Sequence, residues 1–198
     1  MNKKIYIFPT CIGNLIYKNL IKEIKKLLQK KEFEAQILNK PFCCGQVFYN
    51  TGNFKKAKKI GNLILKEWKN KEILFFSGSC LEYVLENLPL LTGKKNSFYA
   101  EEITNFLIKE KIIELPYNFH TSCHFKIFKN KKPEFLGCCG FGGVFSSIYL
   151  KTSEKILKAK YKEKEIISIE PGCSLHMKSK GFEIIHPLEK ILWKKTEF

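Results

Sequence analysis

The chain contains no arginine and no aspartate. All 35 of its basic residues are lysine and all 19 acidic residues are glutamate, which leaves a formal net charge of +16. Arginine supplies the bidentate contacts that read guanine and clamp phosphate, so its absence argues against a nucleic-acid partner. We interpret the charge as a solvated lysine surface, which could still dock on an acidic protein or, as a peripheral contact, on an anionic membrane face.

Long hydrophobic runs are also missing. No apolar stretch approaches the ~20 residues that a membrane span needs, so we expect no transmembrane segment. The apolar part of the basic start, at residues 5–8, is too short for the core of a signal peptide. We therefore expect a cytoplasmic protein with reduced cysteines, which favours metal or redox chemistry over structural disulfides.

Nucleotide-binding fingerprints are absent as well. The sequence has no flavin or nicotinamide motif, and the glycine-rich run at residues 140–143 lacks the lysine and hydroxyl residue of a phosphate-binding loop. We expect that run to pack beside a metal site instead.

The chain does contain eight cysteines, arranged as two similar sets. Each set has a Cys-Cys-Gly triplet, one upstream cysteine and one downstream cysteine. The first set is Cys11, Cys43, Cys44 and Cys80, and the second is Cys123, Cys138, Cys139 and Cys173. Four thiolates are enough for an iron–sulfur cluster or for zinc. The sequence therefore predicts two related half-domains that each assemble a four-thiolate metal site.

Apolar patterning predicts an α/β fold built from parallel strands with helices on their faces. In such sheets ligands bind beyond the carboxyl ends of the strands, where the cysteines of the first set fall. Residues 1–97 are predicted to form the first half-domain, 98–116 a connecting helix and linker, and 117–198 a second, shortened half-domain. The expected strands are 5–8, 33–38, 73–76, 117–122, 166–169 and 182–185, and the expected helices 14–31, 54–70, 101–111, 145–164 and 187–193.

The second half-domain is shortened between Cys123 and Cys138. The 14 residues that separate them are too few for a crossover helix and its second strand. We expect a helix to be missing there.

Together these motifs resemble the CCG-domain (cysteine-rich) iron–sulfur proteins, a family that includes the cysteine-rich component of heterodisulfide reductase and the glycolate oxidase iron–sulfur subunit. The resemblance is closest to the lactate-utilisation protein A type, which also forms part of L-lactate dehydrogenase complexes. The matching stretches are residues 8–11, 43–46, 49–52, 77–80, 120–124 and 138–143.

The resemblance implies an electron-transfer subunit of an L-lactate (2-hydroxy acid) oxidation complex, rather than a complete enzyme. Its implied partners are a ferredoxin-like iron–sulfur protein and a third subunit. The implied cofactors are iron–sulfur clusters of the 4Fe–4S type held by the eight cysteines, with zinc as the alternative at one site.

Two alternatives stay open. Heterodisulfide reductase relatives carry a further cysteine three residues before the last one of each set, where this chain has Ser77 and Glu170. A thiol/disulfide redox subunit of that kind therefore ranks lower. The other alternative is a zinc-stabilised scaffold or assembly factor for a respiratory dehydrogenase. His120 and His124 flank Cys123 and could ligate metal or tune a cluster, although structural roles are the commoner explanation for such histidines.

Overall fold

A parallel four-stranded sheet forms the centre of the first part of the chain. The computed structural model describes residues 3–115, 119–120, 122–123, 137–162 and 165–193. The strands are β1 (Lys4–Phe8), β2 (Glu34–Ile37), β3 (Glu72–Phe75) and β4 (Tyr99–Glu102), in the order β2-β1-β3-β4. The predicted α/β class with parallel strands is confirmed.

Seven helices connect these strands or follow them within residues 3–115. They are α1 (Cys11–Ile16), α2 (Lys18–Lys30), α3 (Gln46–Asn50), α4 (Phe54–Glu67), α5 (Gly78–Glu82), α6 (Leu88–Thr92) and α7 (Ile103–Lys109), and a π-helical turn at Tyr83–Asn87 joins α5 to α6. The single helix predicted for residues 14–31 is wrong at its start. The helix begins at Cys11, where the Thr10 hydroxyl caps it by accepting a hydrogen bond from the Gly13 N–H, and it breaks at Tyr17.

Strand β4 corrects the prediction of a connecting helix that begins at Glu101. The strand pairs in parallel with β3, and α7 starts only at Ile103. The two glutamates that end the strand favour a helix by composition. Here the Glu102 carboxylate caps α7 by accepting a hydrogen bond from the Asn105 N–H at 2.8 Å. The predicted division of the chain at residues 97 and 116 stays a prediction.

The second part of the chain repeats this pattern on a smaller scale. Its strands β5 (Glu165–Ile167) and β6 (Glu183–Ile185) are parallel, and His120 adds an isolated parallel bridge to Ser168. Its helices are α8 (Phe145–Ile148), α9 (Leu150–Lys160), α10 (Pro171–Ser179) and α11 (Pro187–Trp193). The predicted single helix at 145–164 is therefore two shorter ones. The rest of the strand predicted at 117–122 and the predicted loss of a helix after Cys123 lie outside the described residues.

Three hydrophobic clusters hold these elements together. Alternate residues of β1 point to opposite faces of the sheet, so Ile5 and Ile7 face α2 and α7 while Phe8 faces α4 and α5. Leu188 of α11 is fully buried in the first of these clusters. The second part of the chain therefore packs directly against the first, while its own smaller core surrounds Cys139 and Cys173.

Within the described ranges, no helix has both the length and the apolar character required to cross a membrane.

Candidate metal centre

The first cysteine set gathers beyond the carboxyl ends of β1, β2 and β3. Cys11 is the first residue of α1, and Cys80 is the third residue of α5. Cys43 and Cys44 lie between β2 and α3, immediately before Gly45. Parallel strands bring their carboxyl ends to one edge of the sheet, which explains why these distant residues meet there.

The sulfur atoms of the first set are in contact. Cys44 Sγ lies 3.2 Å from Cys80 Sγ. The hydrogen bond between Cys11 and Cys43, followed by burial, raises the pKa of Cys11. Its neighbour Cys43 lowers the pKa of Cys44, but Cys80 and full burial outweigh that effect and raise it well above the usual value. Cys11 and Cys44 therefore keep their protons without a metal and would release them on binding one.

The second set repeats this geometry at two points. The backbone N–H of Gly140 donates to Cys138 Sγ at 3.3 Å, as the N–H of Gly45 donates to Cys43 Sγ at 3.3 Å. Both glycines have positive φ, 77° and 97°, which glycine adopts without strain.

The downstream cysteine also repeats its position. Cys173 is the third residue of α10 and its Sγ lies 2.9 Å from that of Cys139. The structure therefore brings Cys139 and Cys173 together as it brings Cys44 and Cys80. Cys123 and Cys138 are exposed.

One thiolate is already favoured in the second set. The hydrogen bond with Cys173 is the main effect that lowers the pKa of Cys139 to about 5, with burial opposing it. The same hydrogen bond, together with burial, raises the pKa of Cys173 well above its usual value. In the absence of metal, Cys139 is therefore the sulfur of this pair that loses its proton more readily.

All eight cysteines line a single cavity of about 510 Å³. One set comes from the first repeat and the other from the second. The other lining residues are mostly small or apolar and include Val47, Phe141, Gly142, Gly143 and Val144. The glycine-rich run thus lies beside the cysteines, as the sequence predicted.

The donor chemistry of this cavity fits an iron–sulfur cluster or zinc. Cysteine sulfur is the ligand that both prefer, and four cysteines from each set line the cavity wall. All eight cysteines are free thiols. The residues present are therefore suited to hold a metal group.

Comparison with known proteins agrees with the repeated geometry. Residues 5–81 and 126–178 match the family model described as the cysteine-rich domain, CCG. The chain belongs to the cysteine-rich domain family. The match covers both cysteine sets except Cys123, and its two segments correspond to the two repeats.

Similar proteins in this family are named for lactate utilisation. Lactate utilization protein A of a Geobacillus species is 28% identical, over 88% of this chain and 90% of the relative. The protein of the same name from Halalkalibacterium halodurans is 24% identical, over 94% and 95%. Lactate utilization protein A 1 of Bacillus mycoides is 25% identical, over 94% and 93%.

The cysteine-rich repeats are joined by Glu170, one of the two residues at which the resemblance to heterodisulfide reductases leads one to expect a further cysteine. The buried Glu170 carboxylate accepts hydrogen bonds from Ser77 Oγ at 2.6 Å, Gly78 N at 2.9 Å and Ser79 Oγ at 3.0 Å. Ser77 occupies the equivalent position in the first repeat. These two replacements for cysteine therefore bond each other, and they connect the turns that carry Cys80 and Cys173.

Sequence reasoning missed this role of Glu170 and placed His120 second to structural explanations. His120 is fully buried, and its side chain lies with Cys139 and Cys173 in a group whose ligand atoms are all within 4.8 Å of one another. The signal for His120 was its place three residues before Cys123. The sequence placed Ser77 and Glu170 at equivalent positions of the two sets, but nothing in it predicted that the two side chains would bond across 93 residues. His124 lies outside the described residues.

Proposed function

We propose that the chain is an iron–sulfur electron-transfer subunit of a cytoplasmic system that oxidises L-lactate or another 2-hydroxy acid. It works as part of an oxidoreductase complex and is not a complete enzyme. The observation that supports this most directly is the single cavity lined by both cysteine sets. Two redox groups held in one cavity would be close neighbours, as an electron relay requires.

The names of the relatives indicate the substrate. Each resembles this chain over most of both lengths and carries the name lactate utilization protein A. The similarity extends over most of this chain and of each relative, so we extend the role in that name to this protein.

The proposed ligands are the eight cysteines. Cys11, Cys43, Cys44 and Cys80 would hold one group, and Cys123, Cys138, Cys139 and Cys173 the other. A 4Fe–4S cluster bound there would supply reversible one-electron transfer. The chain itself supplies the thiolates and backbone N–H groups directed at sulfur from Gly45 and Gly140. Such hydrogen bonds tune the reduction potential of a cluster.

The proposed partners are a ferredoxin-like iron–sulfur protein and a third subunit of the lactate-utilisation system. The net charge of +16 would attract an acidic partner surface and accelerate its association at low salt.

The test is metal and sulfide analysis of anaerobically purified protein, with electron paramagnetic resonance spectra before and after reduction. We expect iron and sulfide in equal amounts and a signal that appears on reduction. Serine variants at Cys43 and Cys44, and in parallel at Cys138 and Cys139, would each remove one cluster and so serve as controls for each other. Iron and lactate-dependent electron flow that both persist in the first variant would contradict the proposal.

One observation favours a second candidate. Cys139, Cys173 and His120 form a compact group that suits zinc, so a zinc-stabilised scaffold for a respiratory dehydrogenase is the alternative. Colourless protein that contains zinc and no sulfide would favour it. The Ser77–Glu170 contact leaves no further thiol at those positions, which argues against a heterodisulfide-reductase-like reaction.

A further inference from the structure

The two repeats differ at one pair of buried aromatic positions next to the cysteines. Phe8 lies three residues before Cys11, and its ring packs on Trp68 with centroids 4.9 Å apart. The equivalent positions of the second repeat hold His120 and Tyr161, whose rings pack edge to face with centroids 5.5 Å apart. An apolar pair in the first repeat is thus replaced by a polar pair in the second.

Hydrogen bonding fixes the tautomer of His120. Tyr161 Oη lies 2.9 Å from the Gly137 carbonyl oxygen and 2.9 Å from His120 Nδ1. A carbonyl can only accept, so the single hydroxyl proton of Tyr161 goes to Gly137. Tyr161 must then accept a hydrogen bond from the Nδ1–H of His120. In the neutral imidazole the other nitrogen, Nε2, then carries no proton and presents its lone pair.

That lone pair lies beside two thiols. Among the described residues, His120 Nε2 is buried without a hydrogen-bond partner, and it belongs to the group with Cys139 and Cys173 whose ligand atoms lie within 4.8 Å of one another. The backbone is also fixed, because the His120 N–H donates to the Ile167 carbonyl and its own carbonyl accepts from the Ile169 N–H. The imidazole is held in place with an unused metal-binding nitrogen.

We propose that His120 Nε2 is a metal ligand, and that one iron or zinc atom is bound jointly by His120, Cys139 and Cys173. Two thiolates on one tetrahedral ion lie about 3.8 Å apart when each bond is ~2.3 Å, so small shifts of the two sulfurs would admit the ion. Cys123 and Cys138 line the same cavity and are the candidates for the remaining positions.

The arrangement matches that of known metal sites. The nitrogen of a metal-bound histidine that faces away from the ion is usually hydrogen-bonded, which orients the ring, and Tyr161 makes that contact here. Imidazole in place of thiolate raises the potential of an iron–sulfur centre. The second site would then have a higher reduction potential than the all-thiolate first site, and electrons would move from the first site to the second.

The inference rests on the proposed metal occupancy of the second site but not on which metal is present. The test uses full-length protein labelled with ¹⁵N only in histidine and purified without oxygen. For an iron centre, pulsed electron paramagnetic resonance of the reduced protein should show one directly coordinated ¹⁵N. For zinc, X-ray absorption should show nitrogen at ~2.0 Å together with sulfur at ~2.3 Å.

The variant His120→Phe copies the residue of the first repeat and should abolish the nitrogen signal. His176→Gln is the matched control, because His176 is a buried histidine of the same repeat whose Nε2 is already bonded to Ser153 Oγ at 3.0 Å. It should leave the signal unchanged. A nitrogen signal that survives His120→Phe would overturn the proposal.

The wild-type spectrum is decisive even if His120→Phe does not fold. A metal shell made only of sulfur overturns the proposal, and so does metal content that is unchanged when Cys139 and Cys173 are both replaced by serine. Zinc with a nitrogen ligand would support His120 ligation and refute the iron–sulfur function. Iron and sulfide with only sulfur ligands would support the iron–sulfur function and refute His120 ligation.

Discussion

Replacing Glu170 with alanine is expected to destabilise the protein by about 3–5 kcal/mol, because it leaves the buried donors around the carboxylate without an acceptor at about 1–3 kcal/mol each. The Glu170 carboxylate is almost fully buried and accepts from two hydroxyl groups and from the N–H groups of Gly78 and Ser79. Its 2.6 Å contact with Ser77 Oγ has the length of a charge-assisted hydrogen bond. The serine hydroxyls can turn to other acceptors, whereas the two N–H groups cannot.

The assay is thermal unfolding of reduced, metal-free protein, followed by circular dichroism. For a chain of this length the loss corresponds to a fall in the midpoint of roughly 6–20 °C. Glu170→Gln keeps one oxygen for the N–H groups and should cost only about 1–2 kcal/mol. The control is Glu154→Gln, which removes a half-exposed ion pair with Lys180 and should cost less than about 1 kcal/mol.

A double-mutant cycle separates the contact between the repeats from general damage. The coupling energy between Ser77→Ala and Glu170→Gln is expected to be about 1–2 kcal/mol, because the two side chains share a buried hydrogen bond. If Glu170→Ala changes stability by no more than the Glu154 control, the carboxylate does not hold the two repeats together and this reasoning is refuted.

Three further predictions concern pH, backbone and metal. Burial is the main cause that raises the pKa of Glu102 to about 7, so the folded state holds a proton that the unfolded state loses above pH ~4.5. The free energy of unfolding should therefore fall by about 3 kcal/mol between pH ~4.5 and 7. Urea titrations over a series of pH values measure this fall, and Glu102→Gln should flatten it. Gly140→Ala should cost about 3 kcal/mol in the same titrations, because its Cβ would lie 2.6 Å from the Ser153 carbonyl oxygen. The control is Gly52→Ala, which has a similar φ but open space around the Cβ and should cost about 1 kcal/mol. Equal losses in the two variants would exclude the clash. Removing bound metal with a chelator should lower the thermal midpoint, since folding and metal binding are coupled, and a scan that is unchanged would count against a metal site.

Much of the fold could be predicted because its signals are local. Buried apolar runs such as Ile5–Phe8 mark strands, and lysine-rich periodic stretches mark helices. The Cys-Cys-Gly triplets mark the repeat. Gly45 and Gly140, which end the two triplets, adopt the positive φ that glycine allows without strain. Placement of the first cysteine set beyond the strand ends followed from the topology of parallel sheets.

The prediction failed where local composition and tertiary environment disagree. Glu101 and Glu102 look helical by composition, but β3 offers an open edge to Tyr99–Glu102, and Glu102 is buried as a helix cap. Leu15 belongs to the apolar pattern of residues 14–31 and yet is 73% exposed, because the helix breaks at Tyr17 and the two segments present different faces.

The sequence by itself determined the repeat, the parallel α/β class and the two sets of cysteines, because these depend on residue type and on spacing along the chain. Only the tertiary structure decided that both sets line one cavity, that Glu170 bonds to Ser77, and that His120 points a free nitrogen at Cys139 and Cys173. Those contacts join residues that are tens of positions apart. The shared cavity and the Glu170–Ser77 bond form only when the two repeats pack against each other, and the His120 group forms only when the second repeat folds, so no local pattern encodes them.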